Sequence, residues 1–353
     1  MTALPHLFGM LPDDLKAHLA AHGVQVRDDE ARRLLAHVLG PEGAEQARRR
    51  PVGRRLLAVL AATTDQRRLE IVERATDPAD GFVKYLLRSP DGALSEAVRI
   101  PLHRPGCYSV CLSSQVGCAM RCAFCATGRL GLSRNLAAWE MVAAFVTVRD
   151  ETPGRVTGAV FQGQGEPLQN YDEVIRAARV LSHPCGCKIS ASAITISTVG
   201  LAPQIRRFAQ EGHRYRLIIS LTSAVPERRA ALLPVAGRVP LSELADAIRA
   251  YARSTSGRVT VAWVLMGGVN HGADEVEALR ALLPDVRLRI NLIDVNDARP
   301  DGFRRATALE RQLFMERLQV LSAPIVRRYS GGAARHAACG MLAAVRCGEA
   351  SEG

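Results

Sequence analysis

From Tyr108 onward the 353-residue chain alternates extended and helical segments, and this alternation limits its fold more than any other feature. Runs rich in β-branched and apolar residues predict strands at Tyr108–Ser113, Val156–Phe161, Ala193–Ser197, Arg216–Leu221, Arg258–Leu265 and Arg287–Ile293. Helical periodicity falls between them, at Ala137–Thr147, Tyr171–Leu181, Ala202–Glu211, Leu241–Arg253 and Glu275–Leu283. A strand that returns through a helix pairs in parallel with its predecessor, so the repeats predict an α/β fold with a parallel sheet. Six such strands predict a partial (β/α)6 barrel over residues 108–330, which a helix at Thr307–Leu321 and a short strand at Ile325–Tyr329 complete. Residues 331–353 read as a mobile, Gly/Ala-rich tail. Ahead of the barrel, residues 1–78 read as a small helical domain. Pro12 with Asp13 and Asp14 marks a helix start, and periodic runs follow at Leu15–His22, Ala31–Leu39 and Leu56–Leu60. Residues 79–107 read as a β extension: Gly81–Arg88 and Leu94–Leu102, joined by the turn Ser89-Pro90-Asp91-Gly92.

Barrels of this kind bind ligands at the carboxyl ends of their strands. The loop after the first strand there carries Cys118-Ala-Met-Arg-Cys122-Ala-Phe-Cys125. Three thiolates in this C-x₃-C-x₂-C spacing can hold three irons of a 4Fe–4S cube and leave the fourth open to a ligand. The competing reading is a zinc site completed by Cys107, Cys111, Cys185 or Cys187. Structural zinc usually takes two ligand pairs, and Cys185-Gly-Cys187 is too tight for one of them. Other candidates close other strands: Gly163-Gln164-Gly165-Glu166-Pro167 after the second, Ser197-Thr198 at the third, Ser220-Leu221-Thr222 at the fourth and Asn296 past the sixth.

Composition narrows the function classes. Asp13, Asp14 and Lys16 occupy the place where an export signal needs its apolar run, and no stretch is long and apolar enough to span a bilayer. Nine cysteines without an export signal point to metal and redox chemistry in a reducing compartment, so a cytoplasmic protein without membrane contact is expected. The formal charge of +11, from 46 Lys+Arg against 35 Asp+Glu, suggests a polyanionic partner. Its basic clusters are Arg48–Arg50 with Arg54 and Arg55, then Arg67 and Arg68, then Arg206, Arg207, Arg214 and Arg216. An arginine-rich composition and solvated helix faces account for such runs equally well.

Several of these segments together resemble the RlmN/Cfr group of radical S-adenosylmethionine (SAM) RNA methyltransferases. The resemblance is carried by Cys111-Leu-Ser-Ser-Gln-Val-Gly-Cys118 leading into Cys122, Cys125 and Ala126-Thr127-Gly128, and by Gly165-Glu166-Pro167-Leu168. It extends through Ile194-Thr195-Ile196-Ser197-Thr198, Ile219-Ser220-Leu221, Asn291-Leu292-Ile293 with Asn296, and Ala337-Ala338-Cys339-Gly340. It spans roughly residues 90–345, and the N-terminal helices resemble the accessory domain of the group less specifically. The chain departs from the group at Thr222, where histidine is common, and at Gln162 and Gln164, where methionines are usual. Asp297-Ala298-Arg299-Pro300 and Arg335-His336 are further departures on the substrate side.

The resemblance implies one 4Fe–4S cluster on Cys118, Cys122 and Cys125. It further implies SAM contacts by Gly165, Glu166, Ser197, Ser220, Leu221, Thr222 and Asn296. Two SAM per turnover would serve as methyl donor and radical source. Cys339 would take a methyl from the first SAM, transfer it as a methylene radical to carbon 2 or carbon 8 of an adenosine, and be released by Cys111 through a disulfide. Glu96 is the implied proton acceptor, with an ordinary exposed carboxylate as its alternative. The glycines Gly331, Gly332 and Gly340 around Cys339 suit a tail that must move. The implied partners are ribosomal RNA, with tRNA as a second target, and an electron donor such as flavodoxin or ferredoxin. Two readings from other classes stand beside this one: a radical SAM enzyme acting on a peptide or metabolite, and a non-catalytic zinc-bearing RNA-binding module. Cys107, Cys185, Cys187 and Cys347 receive no role.

Overall fold

The computed structural model describes residues 4–40, 53–297, 299 and 302–343; Arg48–Arg50, Ala298, Pro300 and Cys347 lie outside the described residues. In chain order the described elements begin with α1 (Pro12–Ala21), α2 (Asp28–Leu39), α3 (Arg54–Thr63), β1 (Glu70–Thr76), β2 (Val83–Arg88), β3 (Leu94–Pro101) and β4 (Cys107–Leu112). A hairpin of β5 (Gln115–Gly117) and β6 (Leu132–Asn135) encloses α4 (Ala126–Leu130). Next come α5 (Ala138–Asp150), β7 (Arg155–Phe161), α6 (Tyr171–Ser182), β8 (Ile194–Thr198), α7 (Ala202–Glu211) and β9 (Arg216–Ser220). The chain continues through α8 (Pro226–Leu232), α9 (Leu241–Ser254), β10 (Val259–Leu265), α10 (Ala273–Leu282), β11 (Leu288–Asp294), α11 (Ala308–Leu318) and β12 (Ile325–Arg328).

Ten strands form one sheet in the order β1-β2-β3-β4-β7-β8-β9-β10-β11-β12. Pairing is antiparallel from β1 to β4 and parallel from β4 to β12. The six expected barrel strands are all present, and β12 adds a seventh parallel one. Its two ends, β1 and β12, leave the barrel open. The β extension is therefore continuous with the barrel wall. Along that wall Val98 pairs with both Lys84 and Cys111, and Cys111 pairs with Val160, so the four residues form one row on one face.

Strand β1 corrects the helical reading of the first 78 residues. Glu70, Glu73 and Arg74 interrupt any apolar alternation, as suits an edge strand that must not recruit another sheet. The preceding helices share the barrel's core. Leu15, Leu19, Leu34 and Leu35 are sealed in the same apolar cluster as Met141 and Phe145, each worth about 2 kcal/mol of burial. Polar ties reinforce the junction: Arg176 of α6 donates to the Gly9 carbonyl at 2.8 Å and to Asp14 at 2.7 Å. The His6 ring stacks on Trp139 with centroids 3.9 Å apart. Among the described residues no helix is long and apolar enough to cross a membrane.

Candidate active site

Cys118, Cys122 and Cys125 line one cavity at the carboxyl ends of the parallel strands. Local geometry explains the loop that carries them. Gly117 has a φ of +76°, and a Cβ there would lie 1.9 Å from the Gly131 carbonyl, so only glycine lets β5 and β6 cross so closely. Just beyond, the Cys118 amide donates to that carbonyl at 2.7 Å, and the Ala123 amide donates to the Leu232 carbonyl at 2.9 Å, which ties the loop to α8. Burial pushes the Cys118 thiol up to about 12, and burial with the neighbouring Cys125 and Cys118 sulfurs raises Cys122 as well. Ligation to a metal would remove those protons outright. Among the described residues, no three Cys, His, Asp or Glu side chains gather closely enough for a single metal ion. Three thiols that each serve a separate iron of a cubane need no such closeness, so this donor set fits a cluster.

The loop after β7 is pressed against β4 and the β5 strand. A Cβ on Gly165, whose φ is +97°, would lie 2.6 Å from the Gln115 Cβ. Glu166 lines the cavity and is buried, and its carboxylate accepts from the amides of Leu168 and Val199, both at 2.9 Å. It thereby clamps the ends of β7 and β8 together. Burial pushes its carboxyl up to about 7 against these bonds. The Ser197 and Ser220 hydroxyls, 3.2 Å apart, face the same cavity.

Leu221 and Thr222 do not join them. The Leu221 side chain is sealed in the core, and Thr222 is fully buried in the left-handed region at φ +62°; neither lines the cavity. The chain leaves the mouth after Ser220, because the Thr222 amide donates to the Ala262 carbonyl and the Thr222 carbonyl accepts from Asn270 at 2.7 Å. Asn296 does line the cavity, where its Nδ2 donates to Ser330 Oγ at 3.0 Å and to the Cys339 carbonyl at 3.3 Å.

The tail crosses the cysteine loop. Ala126 donates to the Gly340 carbonyl at 2.7 Å, and the Thr127 hydroxyl donates to the Leu342 carbonyl at 2.6 Å. Cys339 consequently lines the cavity with the three loop cysteines. Cys111 lies beneath the tail, in a buried cluster with Phe82, Val98, Val160, Ala337 and Leu342. Burial, with the Cys339 sulfur nearby, pushes its thiol up to about 12. Glu96 lies on the same face of the wall as Cys111 but outside the cavity lining. It is not the exposed carboxylate of the alternative reading; it is buried and paired with Lys84 at 3.1 Å.

Three contributors carry no local sequence signal. Arg328 of β12 donates to Gln162 at 2.6 Å beside the cavity, Lys84 pairs with Glu96, and Arg229 is buried behind the cysteine loop. Conversely, several arginines of the basic clusters are committed to carboxylates: Arg67 to Asp65, Arg68 to Asp150, Arg206 to Glu243 and Arg207 to Asp172 and Glu211. Arg54, Arg55, Arg214 and Arg216 are exposed.

Residues 112–283 match the model of the radical SAM superfamily. A probable RNA methyltransferase of Anaeromyxobacter sp. (strain Fw109-5) is 46% identical over 339 residues, covering 96% of this chain and 98% of the relative. A dual-specificity RNA methyltransferase RlmN of Syntrophobacter fumaroxidans is 37% identical, covering 91% of this chain and 94% of the relative. Among solved structures, a radical SAM methyltransferase from Sphaerobacter thermophilus superposes with a TM-score of 0.87 at 35% identity, covering 97% of this chain and all of that one. These matches set aside a non-catalytic zinc module. The chain belongs to the radical SAM superfamily and, within it, to the RNA methyltransferase family that includes RlmN.

Proposed function

We propose that this enzyme methylates carbon 2 or carbon 8 of an adenosine in RNA, using Cys339 as a methyl carrier and Cys111 to release it. The observation that carries the reading is the meeting of two further thiols with the three-cysteine loop. Cys339 shares the loop's cavity, and Cys111 is buried under the same tail, in one cluster with Ala337 and Leu342 on either side of Cys339. A cluster needs only the three loop cysteines, so a ligand role accounts for neither of the other two.

A 4Fe–4S cluster held by Cys118, Cys122 and Cys125 would supply the electron that turns SAM into a hydrogen-abstracting radical. Cys339, as a thiolate, first attacks the methyl carbon of one SAM, which leaves as S-adenosylhomocysteine, and a second SAM serves the radical step. After losing one hydrogen, the methyl carbon on Cys339 bonds to the adenine carbon, which gives up its ring proton and one electron, the electron going to the one-electron acceptor that the oxidised cluster would provide. Glu96, on the Cys111 face of the wall, would accept that proton. Cys111 then attacks the Cys339 sulfur: the S–S bond forms, the sulfur–carbon bond breaks, and its electron pair leaves with the carbon, which is protonated to a methyl. An electron-poor ring carbon requires a route of this kind, since it cannot displace a methyl from SAM directly.

The substrate in this reading is ribosomal RNA, with tRNA as a second target, in the cytoplasm. A flavodoxin- or ferredoxin-class protein would be the reductant. The adenosine has to be unstacked to reach the cavity. Mass spectrometry of nucleosides from a deletion strain tests the proposal. One methyladenosine should vanish from the RNA, return with the wild-type gene and stay absent with Cys339→Ala. An unchanged set of methyladenosines would overturn it.

A further inference from the structure

Arg229 of α8 is about 1% exposed, yet it meets no carboxylate among the described residues. Its Nη1 donates to the Leu221 carbonyl and its Nη2 to the Val199 carbonyl at 2.7 Å, while its Nε is sealed without a partner. The adjacent Arg228 shows the ordinary arrangement, with ion pairs to Asp274 and Glu275. A buried guanidinium without a counter-charge is costly, and two neutral carbonyls repay only part of that cost. Three residues further along α8, the Leu232 carbonyl accepts from the Ala123 amide at 2.9 Å, and Leu232 packs in one apolar cluster with Cys118 and Cys122, so the helix that carries Arg229 also holds the cysteine loop.

We propose that Arg229 is a positioning residue for electron transfer, whose buried charge balances the anionic iron–sulfur cluster and raises its reduction potential. The inference rests on the reading of Cys118, Cys122 and Cys125 as the cluster ligands. A cubane with three thiolates is already anionic, and one electron from a low-potential one-electron donor adds a further negative charge without making or breaking a bond. In a site shielded from water, a fixed cation close to the cluster favours that added charge. The two carbonyl bonds hold the guanidinium still at the ends of β8 and β9, where the cavity opens.

The test is a redox titration of the anaerobically reconstituted full chain, followed by electron paramagnetic resonance without SAM or RNA. Arg229→Gln keeps a hydrogen-bond donor but loses the charge. Its midpoint should move negative, so that at a fixed potential near the wild-type midpoint the ratio of reduced to oxidised cluster falls roughly tenfold. Arg229→Lys keeps the charge and should titrate close to wild type. Equal, wild-type midpoints for both variants would reduce Arg229 to a tie between strand ends and overturn the proposal. Arg229→Met provides a second neutral variant. If neither neutral variant takes up iron while Arg229→Lys does, the charge is required and the proposal stands. If Arg229→Lys fails with them, guanidinium shape is what matters and the proposal falls. Failure of the ligand reading would look different: a four-iron signal would survive alanine at one of the three loop cysteines.

Discussion

Lys84 Nζ lies 3.1 Å from Glu96 Oε1, and the two side chains are only 2% and 0% exposed. The pair shares a face of the barrel wall with Cys111, since Val98 joins Lys84 on one side to Cys111 on the other. Ion pairs in such places add little net stability over apolar side chains, whereas removing one partner strands the other. Lys84→Met should lower the unfolding free energy by about 3–5 kcal/mol in urea denaturation, and the double variant Lys84→Met/Glu96→Leu should recover most of it. A single variant as stable as wild type would show that the pair carries no such weight.

Glu96→Gln separates methyl loading from methyl delivery. Cys339 should still acquire its methyl from SAM, because that step needs no base on the wall. Methyladenosine formation should fall at least about 10²-fold, the usual contribution of a positioned proton acceptor. Product formed at the wild-type rate would leave Glu96 a purely structural partner of Lys84.

Alanine at Cys118, Cys122 or Cys125 should abolish both iron–sulfur absorbance and reductive cleavage of SAM. Alanine at Cys185 or Cys187, which are buried in the main core away from the cavity, should abolish neither. Full SAM cleavage in any of the first three variants would remove that residue from the ligand set.

Acid should loosen the N-terminal helices first. Burial lowers the His6 pKa from its ordinary 6.5, and the Phe8 amide donates to its Nδ1 at 3.3 Å, while Nε2 is 3.0 Å from the Arg67 carbonyl. Protonation would remove the acceptor at Nδ1. A depressed pKa means that the stabilisation is present above the unfolded-state value and is lost as pH falls through the folded one. Limited proteolysis should cut the N-terminal segment faster at pH 5.5 than at pH 7.5, by up to about tenfold. His6→Gln should flatten that difference, and an equal pH effect in the variant would place the sensitive group elsewhere.

Local signals made most of this molecule legible. Helix α6 buries one stripe, with Val174, Ile175, Ala178 and Leu181, whereas α5 is buried on nearly every side, and the cysteine loop is recognisable because its three cysteines lie within eight consecutive residues. What the sequence hid depends on tertiary partners. Leu221 and Thr222 leave the cavity because Ala262 and Asn270 turn the chain after Ser220. The Lys84, Val98 and Cys111 row depends on the register of three strands, and Arg229 reads as one more surface arginine until α8 is packed behind the loop. The basic runs also hide their pairing, since Arg67, Arg68 and Arg207 answer nearby carboxylates.

Cys111 provides the sharpest test of the proposed reaction. If its role begins only after carbon–carbon bond formation, Cys111→Ala should still methylate Cys339 and still join the methylene to the base. Release would then fail, because no thiol remains beneath the tail to attack the Cys339 sulfur. A thioether link survives thiol reductants, whereas a disulfide link does not. The variant should therefore accumulate a protein–RNA adduct on denaturing gels that persists in excess thiol. Nuclease digestion and peptide mass spectrometry should place an adenosine on Cys339. In Cys339→Ala and in Cys111→Ala/Cys339→Ala the adduct should be absent, since the carbon has no sulfur to ride on. Free methylated RNA at the wild-type rate from Cys111→Ala, without an adduct, would return Cys111 to the role of a buried strand residue and break the proposed sequence at its last step.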